Sequence, residues 1–317
     1  MRKPELKRMT AALRQLTPAQ RRLVATELAA LDTQTAAISV IEARFAAGAT
    51  CPHCQAKHVR RHGLLRDVQR YLCLECRRTF TALSGTPLNR LHKRSKWLQQ
   101  AKALEDRLTL HEVANALNIH VSTAHRWRHR FLKLPELIQP PALTGLAEAD
   151  ETVFLLSFKG RRSGLDRNAR KRGGRASKPG MCHEQVPVLV ARDRAGATMN
   201  CVLAGVNTAA LVDALKPFIA QDVVLCTDGS KALGAAAREL GVEHHAVNLS
   251  AGVRVDGAWH VQNVNAYHSR LKAWIRKFHG VATRYLKNYL GWFRALERDP
   301  TAAPKPAHWL AMALGGG

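Results

Sequence analysis

The sequence contains no run of 18 or more apolar residues, so nothing in it reads as a membrane-spanning helix. Its opening residues, MRKPELKRMTAAL, are basic but have no apolar stretch behind the charge, and do not read as a secretory signal. Acidic residues are scarce: 24 Asp and Glu stand against 49 Lys and Arg, a net charge of +25. Such an excess argues against an enzyme of small metabolites and for a polyanionic partner, of which nucleic acid is the commonest. Cysteine is sparse too. Four of the seven fall in two close pairs, and Cys182, Cys201 and Cys226 are scattered. This pattern suits a reducing cytoplasm, with the paired thiols kept for metal rather than disulfides. The expectation is a cytoplasmic, nucleoid-associated protein with no membrane partner.

What is present divides the chain into blocks. Residues 1–47 read as a helical segment, with Thr17 as an N-cap and Pro18 at the first helical position. Residues 48–90 hold CPHC and CLEC. Cys51, Cys54, Cys73 and Cys76 have the spacing of a four-cysteine zinc site, and Tyr71, Thr79 and Phe80 favour strands, so a zinc ribbon is expected with His53 facing solvent. Residues 91–134 read as a helix-turn-helix: Val113, Ala114 and Leu117 line the inner face of one helix, and Asn118-Ile119-His120 makes the turn. The next helix turns Ala124, Trp127 and Phe131 inward and Ser122, Thr123, His125, Arg126, Arg128 and Arg130 outward, a face suited to DNA. The proline-rich stretch 135–145 reads as a linker, and residues 299–317 as a C-terminal tail.

Between them, residues 146–298 alternate strand and helix. LAEADETVFLLSF is an expected strand, QVPVLVARDRAGATMNCVLAG a hairpin turning at Asp193–Gly196, and later helices alternate with VVLC and VEHHAVNL, which argues for an α/β domain with a mixed sheet. Two aspartates stand at or in strands. Asp150 interrupts the first, and Asp228 follows VVLC at an Asp-Gly-Ser turn, where sites of open α/β sheets form. In the helix WHVQNVNAYHSRLKAWIRKFHG, Asn265 and Lys272 lie two turns apart on one face with His268 between them, whereas Asn263 points away. Two carboxylates and an amide oxygen suit Mg²⁺ or Mn²⁺, and Lys272 supplies a point charge for a phosphate. Glu148, Asp150 and Thr152 alternate on one strand face, and the weaker reading of Asp150 is that this face is simply solvated. Residues 159–180 crowd Arg161, Arg162, Arg170, Lys171 and Arg172, among other cations, between glycines, a loop for the DNA backbone.

Together EADETVF, TDGSKAL and the Asn265–Lys272 spacing make the chain resemble bacterial insertion-sequence transposases, which join a zinc ribbon and helix-turn-helix to an ISXO2-like, DDE-type, RNase H-like catalytic core. The resemblance runs over roughly residues 48–295 and implies a multidomain protein. Its catalytic and cation-binding residues would be Asp150, Asp228 and Asn265, with Lys272 beside them and Asn replacing the family's commoner Glu. Glu151 or His268 would be a further helper. The implied activity is metal-dependent cleavage of 3′ ends at an element's termini and their transfer to target DNA, by a homodimer or larger assembly on double-stranded DNA, with structural zinc and catalytic Mg²⁺ or Mn²⁺. Tyr285, Tyr289 and Trp292 would lie in the core. The rival reading is a non-enzymatic, zinc-dependent DNA-binding regulator descended from such an enzyme.

Overall fold

The computed structural model describes residues 3–161, 163–165, 174–178, 182–247, 255–298 and 305–315. Two compact units emerge, one of residues 1–131 with 304–317 and one of residues 132–303.

The first unit begins with helices α1 (Lys3–Arg14) and α2 (Pro18–Ala43). Thr17 caps α2 as expected, in a reciprocal box with Gln20. A three-stranded antiparallel sheet follows: β1 (Val59–Leu65), β2 (Val68–Cys73) and β3 (Thr79–Thr81). Its small core is aromatic, with Tyr71 stacked on Phe80 and Phe45 edge-on to both. Then come α3 (Trp97–Glu105), α4 (Leu110–Ala116) and α5 (Val121–Phe131). Thr109 and Glu112 form a second capping box at the start of α4. Asn118 turns the chain at φ 46°, a left-handed position that asparagine tolerates better than most residues. The segment expected to be a tail instead forms helix α10 (Pro306–Leu314) and packs on α2, α3 and α5. Its Trp309, Leu310, Met312, Ala313 and Leu314 are buried, which is why it folds as a core helix.

The second unit carries a five-stranded mixed sheet in the order β6-β5-β4-β7-β8. Strands β4 (Leu146–Leu155), β5 (Gln185–Asp193) and β6 (Thr198–Val202) are an antiparallel meander, and β7 (Val224–Thr227) and β8 (Glu243–Ala246) are parallel to β4. This is the mixed sheet expected of an RNase H-like domain. Asp193 holds the β5–β6 turn by accepting from the Ala197 and Thr144 amides.

The pleat assigns the sheet's two faces. Ala147, Ala149, Leu189, Ala191, Met199 and Leu225 form one apolar core with helices α6 (Thr208–Leu215) and α7 (Lys231–Leu240). Alternate residues face α8 (Gln262–Arg276) and α9 (Leu286–Glu297): Glu148 bonds to the start of α8, and Asn200 Nδ2 donates to Tyr267 Oη at 2.8 Å. Tyr289 and Trp292 are buried as expected, while Tyr285 is half-buried under Arg284.

The proline-rich stretch expected to be a linker belongs to this unit. Pro135–Leu137 packs on α9, where Gly291 is required because a Cβ there would meet the Glu136 backbone. Arg294 fixes the stretch further, donating to the Ile138 and Glu136 carbonyls at 2.9 Å each.

Candidate functional site

Four thiols converge in the first unit. Two similar turns supply them. Gln55 N donates to Cys51 O and Arg77 N to Cys73 O, with Gln55 and Arg77 both in the left-handed region. Cys51 and Cys76 sulfurs lie 3.6 Å apart, as do those of Cys54 and Cys73, and all four are within 4.8 Å of one another. Tetrahedral zinc with bonds of about 2.3 Å requires sulfur separations of about 3.8 Å, so the donor set fits that ion. Burial opposes ionisation of Cys51, but the His53 and Cys54 amides and the neighbouring thiols more than offset it and bring its pKa down to about 7. The Ala56 amide favours the Cys54 thiolate, yet burial and the other three sulfurs push that thiol up to about 12. His53 is exposed, as expected.

The helix-turn-helix stands largely as read. Val113, Ala114, Leu117, Ala124, Trp127 and Phe131 are buried, and Ser122 and Arg126 are exposed, with Thr123 and His125 half-exposed beside them. The His120 ring closes the start of α5, accepting from Ser122 N at 3.2 Å. Arg128 is a correction. Expected to face outward, it is 1% exposed and donates to the Leu108 carbonyl. The reason is the period: position 128 is i+4 from Ala124 and i−3 from Phe131, on the buried stripe. Arg130 is exposed, but its guanidinium is spent on the Pro87 and Asn89 carbonyls.

The carboxylate site lies in the second unit. In the β4–β7 register Leu146, Ala147 and Glu148 pair with Val224, Leu225 and Cys226. Asp150 on β4 and Asp228, just past the last residue of β7, each follow the final pair of this ladder by two residues, so the two aspartates lie on neighbouring stretches of chain. The charges respond to this proximity. Burial, and then the Asp228 carboxylate, push the Asp150 pKa up to about 6, while the Glu151 amide and the Lys272 ammonium pull against the rise. Glu151, on the opposite face of the strand, is raised to about 7 by burial, Asp150 and Asp228. Its Oε1 is buried without a hydrogen-bond partner. Asp228 Oδ1 accepts from the Ser230 amide at 3.0 Å, which holds its carboxylate at the turn.

Helix α8 brings the third group of residues. His268 Nδ1 is 3.5 Å from Asp150 Oδ2, and the ring is 6% exposed with Nε2 unpartnered. Burial, then Lys272, depress its pKa to about 4, so the ring is neutral at pH 7 and the contact is not an ion pair. Lys272 is exposed one turn beyond, and Asn265 is exposed one turn before. Asn263 is otherwise engaged, donating through Nδ2 to Glu148 Oε1 at 2.9 Å. Among the described residues, only the four cysteines bring three or more His, Cys, Asp or Glu donor atoms within 4.8 Å; the carboxylate site is more open. It nevertheless suits a hard cation, because the raised Asp150 pKa, to which burial and then Asp228 contribute, marks a site short of positive charge.

Two residues have roles that sequence reasoning missed. Glu148 is fully buried, not solvated. Lys159, counted among the cations of the basic loop, donates to the Phe278, His279 and Gly280 carbonyls and caps the end of the helical segment. Of the loop's candidates, Arg161 is exposed, while Arg162, Arg170, Lys171 and Arg172 lie outside the described residues.

Residues 142–294 match the family described as ISXO2-like transposase domain, and residues 91–135 match the homeodomain-like domain. The chain is 27% identical over 276 residues, 85% of its own length and 92% of the relative's, to an uncharacterized protein in transposable element ISH50 of Halobacterium salinarum. Among solved structures, a pre-cleavage Mos1 transpososome is 13% identical over 69% of this chain and 77% of that one, with a TM-score of 0.23. A Mos1 transposase paired-end complex is 14% identical over 65% and 77%, also with a TM-score of 0.23. Superpositions this loose leave the fold to rest on the sheet order itself. No helix among the described residues is long and apolar enough to cross a membrane.

Proposed function

From a chain whose residues 142–294 are an ISXO2-like transposase domain and whose residues 91–135 are a homeodomain-like domain, we propose a DNA transposase that binds the ends of its own element, cleaves their 3′ strands and joins them to target DNA. The observations that support this reading are the β4–β7 pairing, which Asp150 and Asp228 each follow by two residues, and the upward shift of the Asp150 pKa to which Asp228 contributes. Asp150, Asp228 and Asn265 would hold Mg²⁺ or Mn²⁺. One or two such ions, when bound, supply charge neutralisation at the scissile phosphate and lower the pKa of the attacking hydroxyl.

The protein's own groups do the rest. Lys272 is an exposed point charge for a DNA phosphate. His268, neutral and packed on Asp150, restricts that carboxylate without competing for it in charge. Residues 48–90 form a zinc ribbon and 91–134 the reader of the element's ends, with Ser122, Thr123, His125 and Arg126 toward the major groove. Arg161, Arg162, Arg170, Lys171 and Arg172 follow the backbone. Joining two ends calls for at least a homodimer on DNA. The protein would work on the nucleoid in the cytoplasm.

The test is nicking and strand transfer on DNA bearing the element's ends, with and without Mg²⁺. Binding without metal-dependent cleavage would favour the regulator.

Cation binding should depend on pH in one direction. Asp150 must be deprotonated to bind, and its pKa near 6 means that protons compete below neutrality. Mn²⁺ affinity measured by calorimetry is expected to hold from pH 8 to about 7 and then fall, approaching tenfold per pH unit below pH 6 for each proton displaced. A flat affinity from pH 8 to 5 would count against Asp150 as a ligand.

Arg126 and Arg128 should separate binding from folding. Arg126→Ala is expected to weaken DNA binding by about 1–3 kcal/mol if it reads a base, with no change in melting temperature. Arg128→Ala removes a buried guanidinium from the Leu108 carbonyl and should cost about 1–3 kcal/mol of stability. Anisotropy titrations and thermal melts distinguish the two, and equal effects on both readouts would contradict the assignment.

A further inference from the structure

Helix α8 has no capping side chain at its N-cap, and the His260 ring before it accepts from the Gln262 amide alone, at 3.3 Å. Val261 stands at its N-cap and offers no acceptor. The acceptor comes instead from β4: Glu148 Oε2 accepts from the Val264 amide at 2.9 Å, the N–H that a capping residue would satisfy. The other oxygen, Oε1, accepts from Asn263 Nδ2 at 2.9 Å and lies 2.8 Å from Arg194 Nη1 and 3.3 Å from His260 Nδ1. Arg194 reaches in from the β5–β6 turn and also donates to the Ala258 carbonyl at 3.0 Å. A fully buried carboxylate is tolerated only when so satisfied, and its charge also suits a helix N-terminus.

The placement matters because of what lies next to each end. Glu148 is two residues before Asp150 on the same strand face, and Val264 immediately precedes Asn265. We infer that Glu148 is a positioning residue: it clamps the first turn of α8 to the strand bearing Asp150, and so sets Asn265, His268 and Lys272 over the two aspartates. Arg194 serves as the counter-charge that makes the clamp affordable in a dry interior. The inference rests on the proposed Asp150 site and adds to it the device that aligns its two halves.

The experiment uses the full-length protein and two variants, Glu148→Gln and Asn263→Ala. Two readouts are taken: amide hydrogen exchange of the free protein, and single-turnover cleavage of end-bearing DNA in Mg²⁺ alongside the DNA dissociation constant. Glu148→Gln should speed exchange across residues 262–268 at least tenfold, slow cleavage about 10- to 100-fold, and leave DNA affinity within about twofold, since positioning acts on turnover rather than on capture. Asn263→Ala, which keeps the buried carboxylate and its arginine and so guards against a general loss of fold, should show the same pattern at about threefold. Wild-type exchange at 262–268 together with a wild-type cleavage rate in either folded variant overturns the inference. If wild type and Asp150→Ala cleave alike, the proposed site is what fails, and the exchange data still judge the clamp.

Discussion

Asp150→Ala and Asp228→Ala are each expected to lower metal-dependent cleavage and strand transfer by at least about a thousandfold while leaving DNA binding intact. The size follows from what is removed. A cation site built on two carboxylates and one amide carries little spare negative charge, and a bound ion contributes several kcal/mol of transition-state stabilisation. At about 1.4 kcal/mol per tenfold, losing most of that contribution costs three or more orders of magnitude. The binding half of the experiment is equally sharp. The cations assigned to DNA are Arg126 on α5, Lys272 on α8 and the basic residues between 161 and 172, so alanine at 150 or 228 removes no positive charge. The double variant should be little worse than either single one, because the two groups act as a unit. Relief of the mutual repulsion gives a second sign of the pairing: in Asp228→Ala the Asp150 pKa should fall from about 6 toward the ordinary carboxylate range, though burial keeps it above that range. Full cleavage in both single variants would leave only a DNA-binding protein.

The second large effect concerns the four thiols. Removing the ion with a strong chelator, or changing Cys51 or Cys73 to serine, is expected to unfold residues 48–81 and abolish binding to element ends. The sheet there has three short strands, and its core is little more than Cys51, Cys73 and Phe80 with a few half-buried neighbours. Cores this small seldom hold without a staple. Zinc bound by a structural four-ligand site is worth about 10–16 kcal/mol at pH 7, far more than so small a core supplies. The two serine variants target the fully buried sulfurs, where a hydroxyl also replaces a well-packed group. One zinc per chain in the wild type and none in Cys73→Ser is the expected elemental analysis. Unchanged zinc content, or native β-structure persisting after chelation, would rule the ribbon out.

How far the sequence foretold these features varied with the range of the interaction. The cysteine pairs were legible because each turn is local and the ligand chemistry restricts residue type. The order of strands and helices was legible from periodicity, and Asp228 stood out by its place at the end of VVLC, although its Asp-Gly turn alone is commonplace. Glu148 was not, because its partners lie in residues 194 and 260–264. An acid alternating with Asp150 and Thr152 looks the same on paper whether it faces water or a helix terminus. Arg128 could have been placed: its i+4 and i−3 relations to Ala124 and Phe131 put it on the buried stripe, but charge was allowed to outweigh period. The prolines of residues 132–145 suggested a linker because proline breaks regular structure. Nothing local announces that Gly291 leaves a groove for Glu136, or that Arg294 collects the carbonyls of a segment so far away in the chain. Asn265 was picked over Asn263 by helical phase, and the bond from Asn263 to Glu148 gives that second amide different work.

The most direct measurement is anomalous diffraction from crystals grown with Mn²⁺. The account predicts a manganese peak within about 2.0–2.3 Å of carboxylate oxygens from both Asp150 and Asp228, with the Asn265 amide oxygen completing the set or reaching it through water. Manganese bound elsewhere on the protein, with the space between those two aspartates empty at saturating metal, would contradict it.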